Sequence, residues 1–230
     1  MQDFTELEEA LQIAFSDKNL LKQAFVHRSY INENPSFPLP HNERLEFLGD
    51  AVLELIITEH LYITYPNPEG ELTNWRASLV NSHMLAEAAK ELGLEEYLFL
   101  SKGEAKDTNS KARNYILANC FEALIGAIYL DQGYEQVKAL INATLLPKLE
   151  NILEHKLYQD PKSQLQEIAQ ERVGVTPSYR VLDESGPDHS KKFEVGVYFD
   201  DELIAKSTGT SKQEAQVSAA EAALKKKKWN

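Results

Sequence analysis

The spacing of apolar residues changes once along this chain, near residue 153, and that change limits the folds it can adopt. Before it, apolar residues recur three and four positions apart, which is typical of amphipathic helices. After it, Phe193, Val195, Val197 and Phe199 occupy alternate positions, which is typical of a strand with one buried face. The sequence therefore predicts an all-α domain followed by a small α+β domain.

The domain limits follow from the same pattern. We predict an all-α domain at residues 1–153, a polar linker at 154–161 that ends in a proline, and a second domain at 162–230. The second domain has the order α-β-β-β-α. Its first helix is closed by Gly174, and Ser211 and Glu214 form a capping box at the start of its last helix.

The periodic segments of the first domain predict helices, separated by loops rich in proline, asparagine and glycine. The predicted helices are "LEEALQIAF", "KNLLKQAFVHRSY", "RLEFLGDAVLELIITEHLYITY", "ELTNWRASLVNSHMLAEAAKELG", "ARNYILANCFEALIGAIYLDQG" and "YEQVKALINATLLPKLENIL".

The charge of the chain bears on the partners it can bind. The net charge is −12, which argues at first against nucleic acid, because phosphate binding usually needs a basic surface. Residues 160–230, however, hold 11 Lys and Arg against 12 Asp and Glu, so most of the acidity lies in the first domain. An acidic cleft filled by divalent cations is still compatible with a polyanion.

We expect a cytoplasmic protein, since no apolar run reaches the length of a membrane span and the N-terminus does not resemble a signal peptide.

Three carboxylates share one face of the helix predicted within "HNERLEFLGDAVLEL", residues 41–55. Glu43, Glu46 and Asp50 fall within an arc of roughly 60°. Packing is predicted for the opposite arc, which holds Leu45, Leu48, Val52, Leu55 and Ile56. Like charges this close repel each other unless water, a basic group or a cation compensates them. The stripe is therefore either a solvated surface or part of a site.

A second segment favours a site. Asn119 and Glu122 lie three positions apart in the very apolar helix "YILANCFEALIGAIYLD". A glutamate there is unfavourable unless it is paired or bound to something. Oxygen ligands from two helices, without cysteine or suitably spaced histidine, suit Mg²⁺ or Mn²⁺. A di-iron bundle would need Glu-x-x-His pairs, and the chain has none.

These motifs resemble those of the ribonuclease III family. "NERLEFLGDAVL" is similar to the family signature, and "ILANCFEALIGAIYLD" to its second acidic motif. "AFVHRSY" and "EGELTNWRASLV" match in order and spacing, and the α-β-β-β-α domain resembles the family's double-stranded-RNA-binding domain. The resemblance covers essentially the whole chain. It implies an all-α endonuclease domain joined to a domain that binds duplex RNA.

The resemblance also implies roles for single residues. Glu46, Asn119 and Glu122 match metal ligands, for Mg²⁺ with Mn²⁺ as a substitute. Asp50 and Glu122 match catalytic carboxylates, and Glu43 and Glu69 match further acidic positions beside the cleft. Asn119 stands where most of the family has aspartate, which predicts weaker ion binding.

Phe47 lies near the acidic stripe, where a monomer would leave its ring partly exposed. The resemblance implies a homodimer interface there; a local core contact is the alternative. His27 is interpreted as a packed or capping residue.

Three surfaces of the second domain are predicted to hold RNA. Duplex RNA is recognised mainly through 2′-hydroxyls and phosphates. By resemblance, Ser163, Gln166 and Glu167 contact one minor groove, and Pro187 and His189 contact the next. Lys212, beside the free N–H groups of the last helix, meets phosphates between them.

The resemblance thus implies Mg²⁺-dependent cleavage of double-stranded RNA to 5′-phosphate and 3′-hydroxyl ends, in processing of ribosomal RNA precursors and structured transcripts. The alternative is a non-catalytic duplex-RNA-binding or assembly protein that kept the fold and lost cleavage through Asn119.

Overall fold

The computed structural model describes residues 3–107, 110–156, 158, 160–187 and 191–229. The chain divides into two compact units, Met1–Tyr158 and Gln159–Asn230. The limits of 1–153, 154–161 and 162–230 remain a prediction. The last helix before the division ends at Glu154, and the first helix after it begins at Pro161.

The first unit is all-α. Its helices are α1 (Thr5–Leu11), α2 (Lys18–Ala24), α3 (Arg28–Glu33), α4 (Glu43–Thr64), α5 (Glu69–Leu79), α6 (Ser82–Glu91), α7 (Lys111–Gln132), α8 (Tyr134–Thr144) and α9 (Leu146–Glu154). Short 3₁₀ helices lie at Leu94–Tyr97 and Glu104–Lys106. None of the described helices combines the length and the apolar character needed to cross a membrane.

Three predicted helices of this unit are each divided in two. The first breaks at Phe25–His27, where Val26 pairs with Phe99 and the His27 side chain caps α3. The second breaks at Asn81, whose side chain accepts hydrogen bonds from His83 and Met84 and starts α6. The third breaks before Pro147, which cannot continue a helix because it lacks an N–H group. In each case a local cap or proline overrides the apolar spacing.

The centre of the unit is the contact between α4 and α7, the two longest helices. α7 is apolar on nearly all sides, and its buried residues include Cys120, Phe121 and Leu124. α4 is anchored at its start by the buried Asn42, whose side-chain amide donates to the Ala24 carbonyl at 3.0 Å. Because α7 is closely packed by its neighbours, the polar side chains that it carries are held in fixed positions.

The second unit has the predicted order of elements: α10 (Pro161–Val173), β1 (Ser178–Ser185), β2 (Lys192–Phe199), β3 (Glu202–Gly209) and α11 (Lys212–Lys227). The strands form an antiparallel sheet in the order β1-β2-β3. Gly174 ends α10 in a left-handed conformation, as predicted. Ser211 caps α11, and the Glu214 carboxylate accepts a hydrogen bond from the N–H of Thr210 at 2.8 Å.

Both helices of this unit pack on one face of the sheet. Of the four residues predicted to alternate in β2, Val195, Val197 and Phe199 are buried and Phe193 is partly buried. Val197 and Phe199 share a core with Leu165 of α10 and the alanines of α11. The other face of the sheet carries Glu194 and Lys206, which form an ion pair at 2.9 Å.

Candidate active site and RNA-binding surfaces

Two glycines allow α4 and α7 to cross with their backbones in contact. A Cβ atom on Gly49 would lie 1.7 Å from the carbonyl oxygen of Glu122, and one on Gly126 would lie 2.2 Å from that of Leu45. Both distances are far below the separation of real non-bonded atoms, so only glycine fits at either position. Glu46 and Asp50 flank Gly49, and Glu122 is one helical turn before Gly126. The crossing therefore brings the acidic positions of both helices together.

Glu46, Asp50, Asn119 and Glu122 form the group that we term the acidic cluster. Burial, followed by the charges of Asp50 and Glu46, raises the pKa of Glu122 to about 8. The pKa of Glu46 is raised by burial, then by Glu43 and Asp50, and a hydrogen bond from Asn119 opposes that rise. Mutual effects of this kind require proximity. The structure thus unites the four residues that the sequence placed on two separate helices.

Glu43 lies at the edge of the acidic cluster and is paired with basic residues. Arg28 Nη1 lies 3.3 Å from Glu43 Oε1, and His41 Nδ1 lies 3.8 Å from Glu43 Oε2. His27 caps α3, in agreement with its interpretation, and burial lowers its pKa. Sequence reasoning missed Arg28, although its place in "AFVHRSY" beside His27 was a signal.

Glu69 lies apart from the acidic cluster within one chain. It is exposed at the start of α5 and lines a cavity of about 410 Å³ with Thr58 and Tyr62 of α4. Thr58 is twelve residues beyond Glu46, or about 18 Å along the helix axis. Within one chain, Glu69 therefore lies near the opposite end of α4 from Glu46.

The donor atoms of the acidic cluster suit a hard cation. They are carboxylate and amide oxygens, the ligands that Mg²⁺ and Mn²⁺ prefer. Within the described part of the chain, no three His, Cys, Asp or Glu side chains are arranged to hold one ion. Mg²⁺ is usually bound by one or two carboxylates, with water and substrate phosphate as its other ligands. The arrangement thus fits an open catalytic site better than a closed structural one.

An exposed stripe runs along α4 beside the acidic cluster. It consists of Phe47, Ala51, Leu55, Thr58 and Tyr62, which we term the Phe47 stripe. Phe47 is 81% exposed, Leu55 58% and Tyr62 79%. The predicted packing of Leu55 is wrong, because Leu55 lies two turns beyond Phe47 on the same outward face. Next to Phe47 is a largely apolar hollow of about 720 Å³, lined by Leu20, Pro40, Leu45, Leu48 and Leu130 among others.

The predicted RNA contacts of the second unit lie on its surface. Ser163, Gln166 and Glu167 are exposed and share one face of α10. Ser163 and Gln166 also line a cleft of about 450 Å³ with Lys162, which sequence reasoning missed. Lys162 Nζ donates to Gln216 at 2.7 Å.

The other two predicted surfaces are partly described. Pro187 is exposed, whereas His189 lies outside the described residues. Lys212 is the first residue of α11, and its Nζ lies 5.5 Å from the centre of the Phe193 ring and 3.8 Å from Glu184.

Comparison with known proteins agrees with this architecture. A family model described as Ribonuclease-III-like matches residues 17–149, and one described as the double-stranded RNA binding motif matches residues 161–227. Ribonuclease 3 of Enterococcus faecalis is 45% identical over 223 residues, which are 96% of each chain. Ribonuclease 3 of Nitratiruptor sp. is 43% identical over 98% of this chain and 97% of the relative.

A solved structure is also similar. It is the nuclease domain of ribonuclease III from Campylobacter jejuni, which was described for flexibility in a region involved in dimer formation. It matches with a TM-score of 0.55 and 36% identity, over 63% of this chain and 99% of that domain.

An all-α nuclease unit followed by a double-stranded-RNA-binding unit defines an endoribonuclease. The chain belongs to the ribonuclease III family.

Proposed function

We propose that the protein cleaves double-stranded RNA with Mg²⁺ and leaves 5′-phosphate and 3′-hydroxyl ends. The observation that carries this proposal is the acidic cluster at the α4–α7 crossing, in a chain of the ribonuclease III family. By similarity, the substrates are ribosomal RNA precursors and structured transcripts, and the location is the cytoplasm.

The proposed roles of the residues are carried over from the family, and their donor atoms are compatible with those roles. Glu46, Asn119 and Glu122 would hold the ion, and Asp50 is a catalytic carboxylate beside them. A bound Mg²⁺ would lower the pKa of a water molecule and neutralise charge on the phosphate. Because its pKa is raised to about 8, Glu122 keeps a proton in much of the metal-free protein at neutral pH. It must release that proton to bind a cation.

A cleavage assay tests this function. A long RNA duplex is incubated with the protein in Mg²⁺ or in EDTA, and short duplex products are expected only with Mg²⁺. Glu122→Gln should lower the rate by about 1,000-fold, because it removes a charged ligand. Glu150→Gln, an exposed position on α9, is the control. Duplex binding without cleavage by the wild type would favour the non-catalytic alternative.

Asn119 is proposed to be a weaker ligand in an active enzyme. Its amide oxygen can bind Mg²⁺ but carries no net charge. Asn119→Asp should therefore reach half its maximal cleavage rate at a lower Mg²⁺ concentration. Asn114→Asp is the matched control, since Asn114 lies on the same helix and already accepts from Lys90 Nζ at 2.8 Å. Equal Mg²⁺ requirements in wild type and Asn119→Asp would contradict the hypothesis.

We propose further that the protein is a homodimer joined through the Phe47 stripe. An apolar surface of this kind next to a hollow is unfavourable in water, and a two-fold pairing would cover both. Antiparallel pairing of two α4 helices would bring the Glu69 end of one beside the Glu46 end of the other. Two sites facing one duplex would cut both strands and leave a short 3′ overhang.

Sedimentation tests the dimer. Phe47→Glu should yield monomers at working concentration. Ile63→Glu should not, because Ile63 is 72% exposed but lies well away from the Phe47 stripe around the helix. A monomeric wild type would contradict the proposal.

In the second unit, the proposed RNA contacts are those predicted: Ser163, Gln166 and Glu167 on α10, Pro187 and His189 in the sequence between β1 and β2, and Lys212 at the start of α11. The match of this unit to the double-stranded RNA binding motif supports them.

A further inference from the structure

One carboxylate in the second unit joins two lysines that lie at different proposed RNA contacts. Lys191 Nζ donates to Glu184 Oε1 at 2.7 Å, and Lys212 Nζ lies 3.8 Å from Glu184 Oε2. Lys191 immediately precedes β2, at the end of the loop that follows β1, and Lys212 begins α11. Glu184 therefore links the lysine that precedes β2 to the lysine that begins α11, which is the proposed phosphate contact.

The side of the sheet on which these groups lie is the one that carries the helices. Glu184 is opposite Phe193 in the pairing of β1 with β2, so both side chains point to the same face. Phe193 is two residues from Val195, which is buried on that face. Lys212 Nζ lies over the Phe193 ring. The three charged groups thus belong to the surface proposed to meet RNA.

Glu184 is charged at neutral pH and open to solvent. The hydrogen bond from Lys191 and the charges of Lys191 and Lys212 lower its pKa. The side chains of Lys191, Glu184 and Lys212 are 37%, 39% and 59% exposed. An RNA phosphate can therefore reach either ammonium group, and when it does so it also approaches the carboxylate.

We propose that Glu184 competes with RNA phosphates for Lys191 and Lys212, and so holds the affinity for duplex RNA below the value that the lysines alone would give. This inference rests on the proposed function of the second unit. Glu184 acts here through the lysines, as a residue that sets affinity and salt dependence. A limit on affinity favours release of cleaved duplex, because the same contacts hold substrate and product.

The opposite role, in which Glu184 orients the lysines for RNA, is less favourable on physical grounds. Exposed ion pairs order lysine side chains only weakly. The charge of Glu184, by contrast, stays within the contact after RNA binds and repels every nearby phosphate. The competing effect therefore outweighs the orienting one.

The sheet provides a matched control. Glu194 pairs with Lys206 at 2.9 Å and is itself about as exposed as Glu184. It is adjacent to Phe193 in β2, so it points to the face without helices. Glu194→Gln changes the net charge as Glu184→Gln does, but away from the proposed RNA surface.

The test measures binding of the full-length protein to a labelled RNA duplex of about 20 base pairs, in EDTA, at several KCl concentrations. At low salt, Glu184→Gln should bind roughly threefold more tightly than wild type, with a dependence on salt that is steeper by up to about one unit. Glu194→Gln should change the affinity by less than about 1.5-fold. When Glu184→Gln is combined with both Lys191→Ala and Lys212→Ala, most of the gain should disappear. Thermal unfolding checks that all variants are folded.

Equal or weaker binding by Glu184→Gln would overturn the inference alone, and so would an equal gain in Glu194→Gln, which would indicate a general effect of net charge. Absence of duplex binding by the wild type would overturn the proposed RNA surface, and this inference with it.

Discussion

The two units of this protein hold their charged residues in different ways. In the first, the acidic cluster is fixed by the backbone contact of α4 and α7 at Gly49 and Gly126. In the second, the cations at the proposed RNA surface are held by side-chain contacts, as Lys212 is by Glu184 and the Phe193 ring.

This difference in how the charged residues are held follows from the charges at each surface. Like charges at partly buried positions repel one another, so they stay together only where packing forces them to. Exposed lysines do not need such packing, because water screens their charges and a flexible lysine side chain can contact a phosphate from many directions. Substitutions should therefore have large effects at the crossing and small, salt-dependent effects at the RNA surface.

The sharpest way to break this contrast is to separate α4 from α7. Gly49→Ala places a methyl group 1.7 Å from the Glu122 carbonyl oxygen, so the helices must move apart. We expect a loss of roughly 3 kcal/mol or more in the free energy of unfolding. Cleavage should fall by about 100-fold or more even in the folded fraction, because the acidic cluster is displaced. Urea unfolding and single-turnover cleavage measure the two effects.

Gly70→Ala is the control for that substitution. Gly70 is also helical, in α5, but a Cβ atom there has no other atom within 4 Å. It should stabilise the protein by about 0.5–1 kcal/mol through helix propensity, with unchanged cleavage. Tolerance of alanine at Gly49 equal to that at Gly70 would show that backbone contact does not fix the site.

A second test concerns the electrostatic repulsion between Glu122 and the carboxylates of Glu46 and Asp50, where α4 crosses α7. Burial, followed by the charges of Asp50 and Glu46, raises the pKa of Glu122 to about 8 in the folded protein. The unfolded chain releases this proton near pH 4.5, whereas the folded protein keeps it until about pH 8. Metal-free wild type should therefore lose stability as the pH rises between these values.

Glu122→Gln removes that loss, because its amide does not titrate. In EDTA, the variant and wild type should unfold at similar temperatures at pH 5, and the variant about 5 °C higher at pH 8.5. Glu150→Gln should show no such divergence. A constant difference between Glu122→Gln and wild type across this range would mean that Glu122 does not titrate in the folded protein.

The same contrast explains what the sequence could predict. α4 and α7 were predicted nearly to the residue, because long apolar spacing specifies both helices, and Glu46 and Glu122 were singled out because carboxylates are unexpected there. The close crossing was not predicted, although Gly49 and Gly126 interrupt strong helical segments. Glycine adds no apolar side chain to the spacing pattern. The residues around it therefore do not show which other helix it contacts. Glu69 could not be placed, because its distance from Glu46 depends on the length of α4 and the turn after it.

The smallest expected effect lies at the RNA surface. Lys212→Ala should weaken duplex binding by about threefold to tenfold at low salt, and should reduce the dependence of log K on log salt by about one. Lys206→Ala is the matched control, because Lys206 is similarly exposed but pairs with Glu194 on the other face of the sheet. It should leave both quantities nearly unchanged.

Substitutions in the two units should also differ in their effect on the unfolding temperature. Neither lysine variant should alter the unfolding temperature by more than about 1 °C, since exposed ion pairs contribute little. If Lys212→Ala left affinity and salt dependence unchanged, its proposed phosphate contact would be wrong. If it destabilised the protein as Gly49→Ala is expected to do, the charged residues of the second unit would be held by packing as firmly as those of the first, and the contrast between the units would fail.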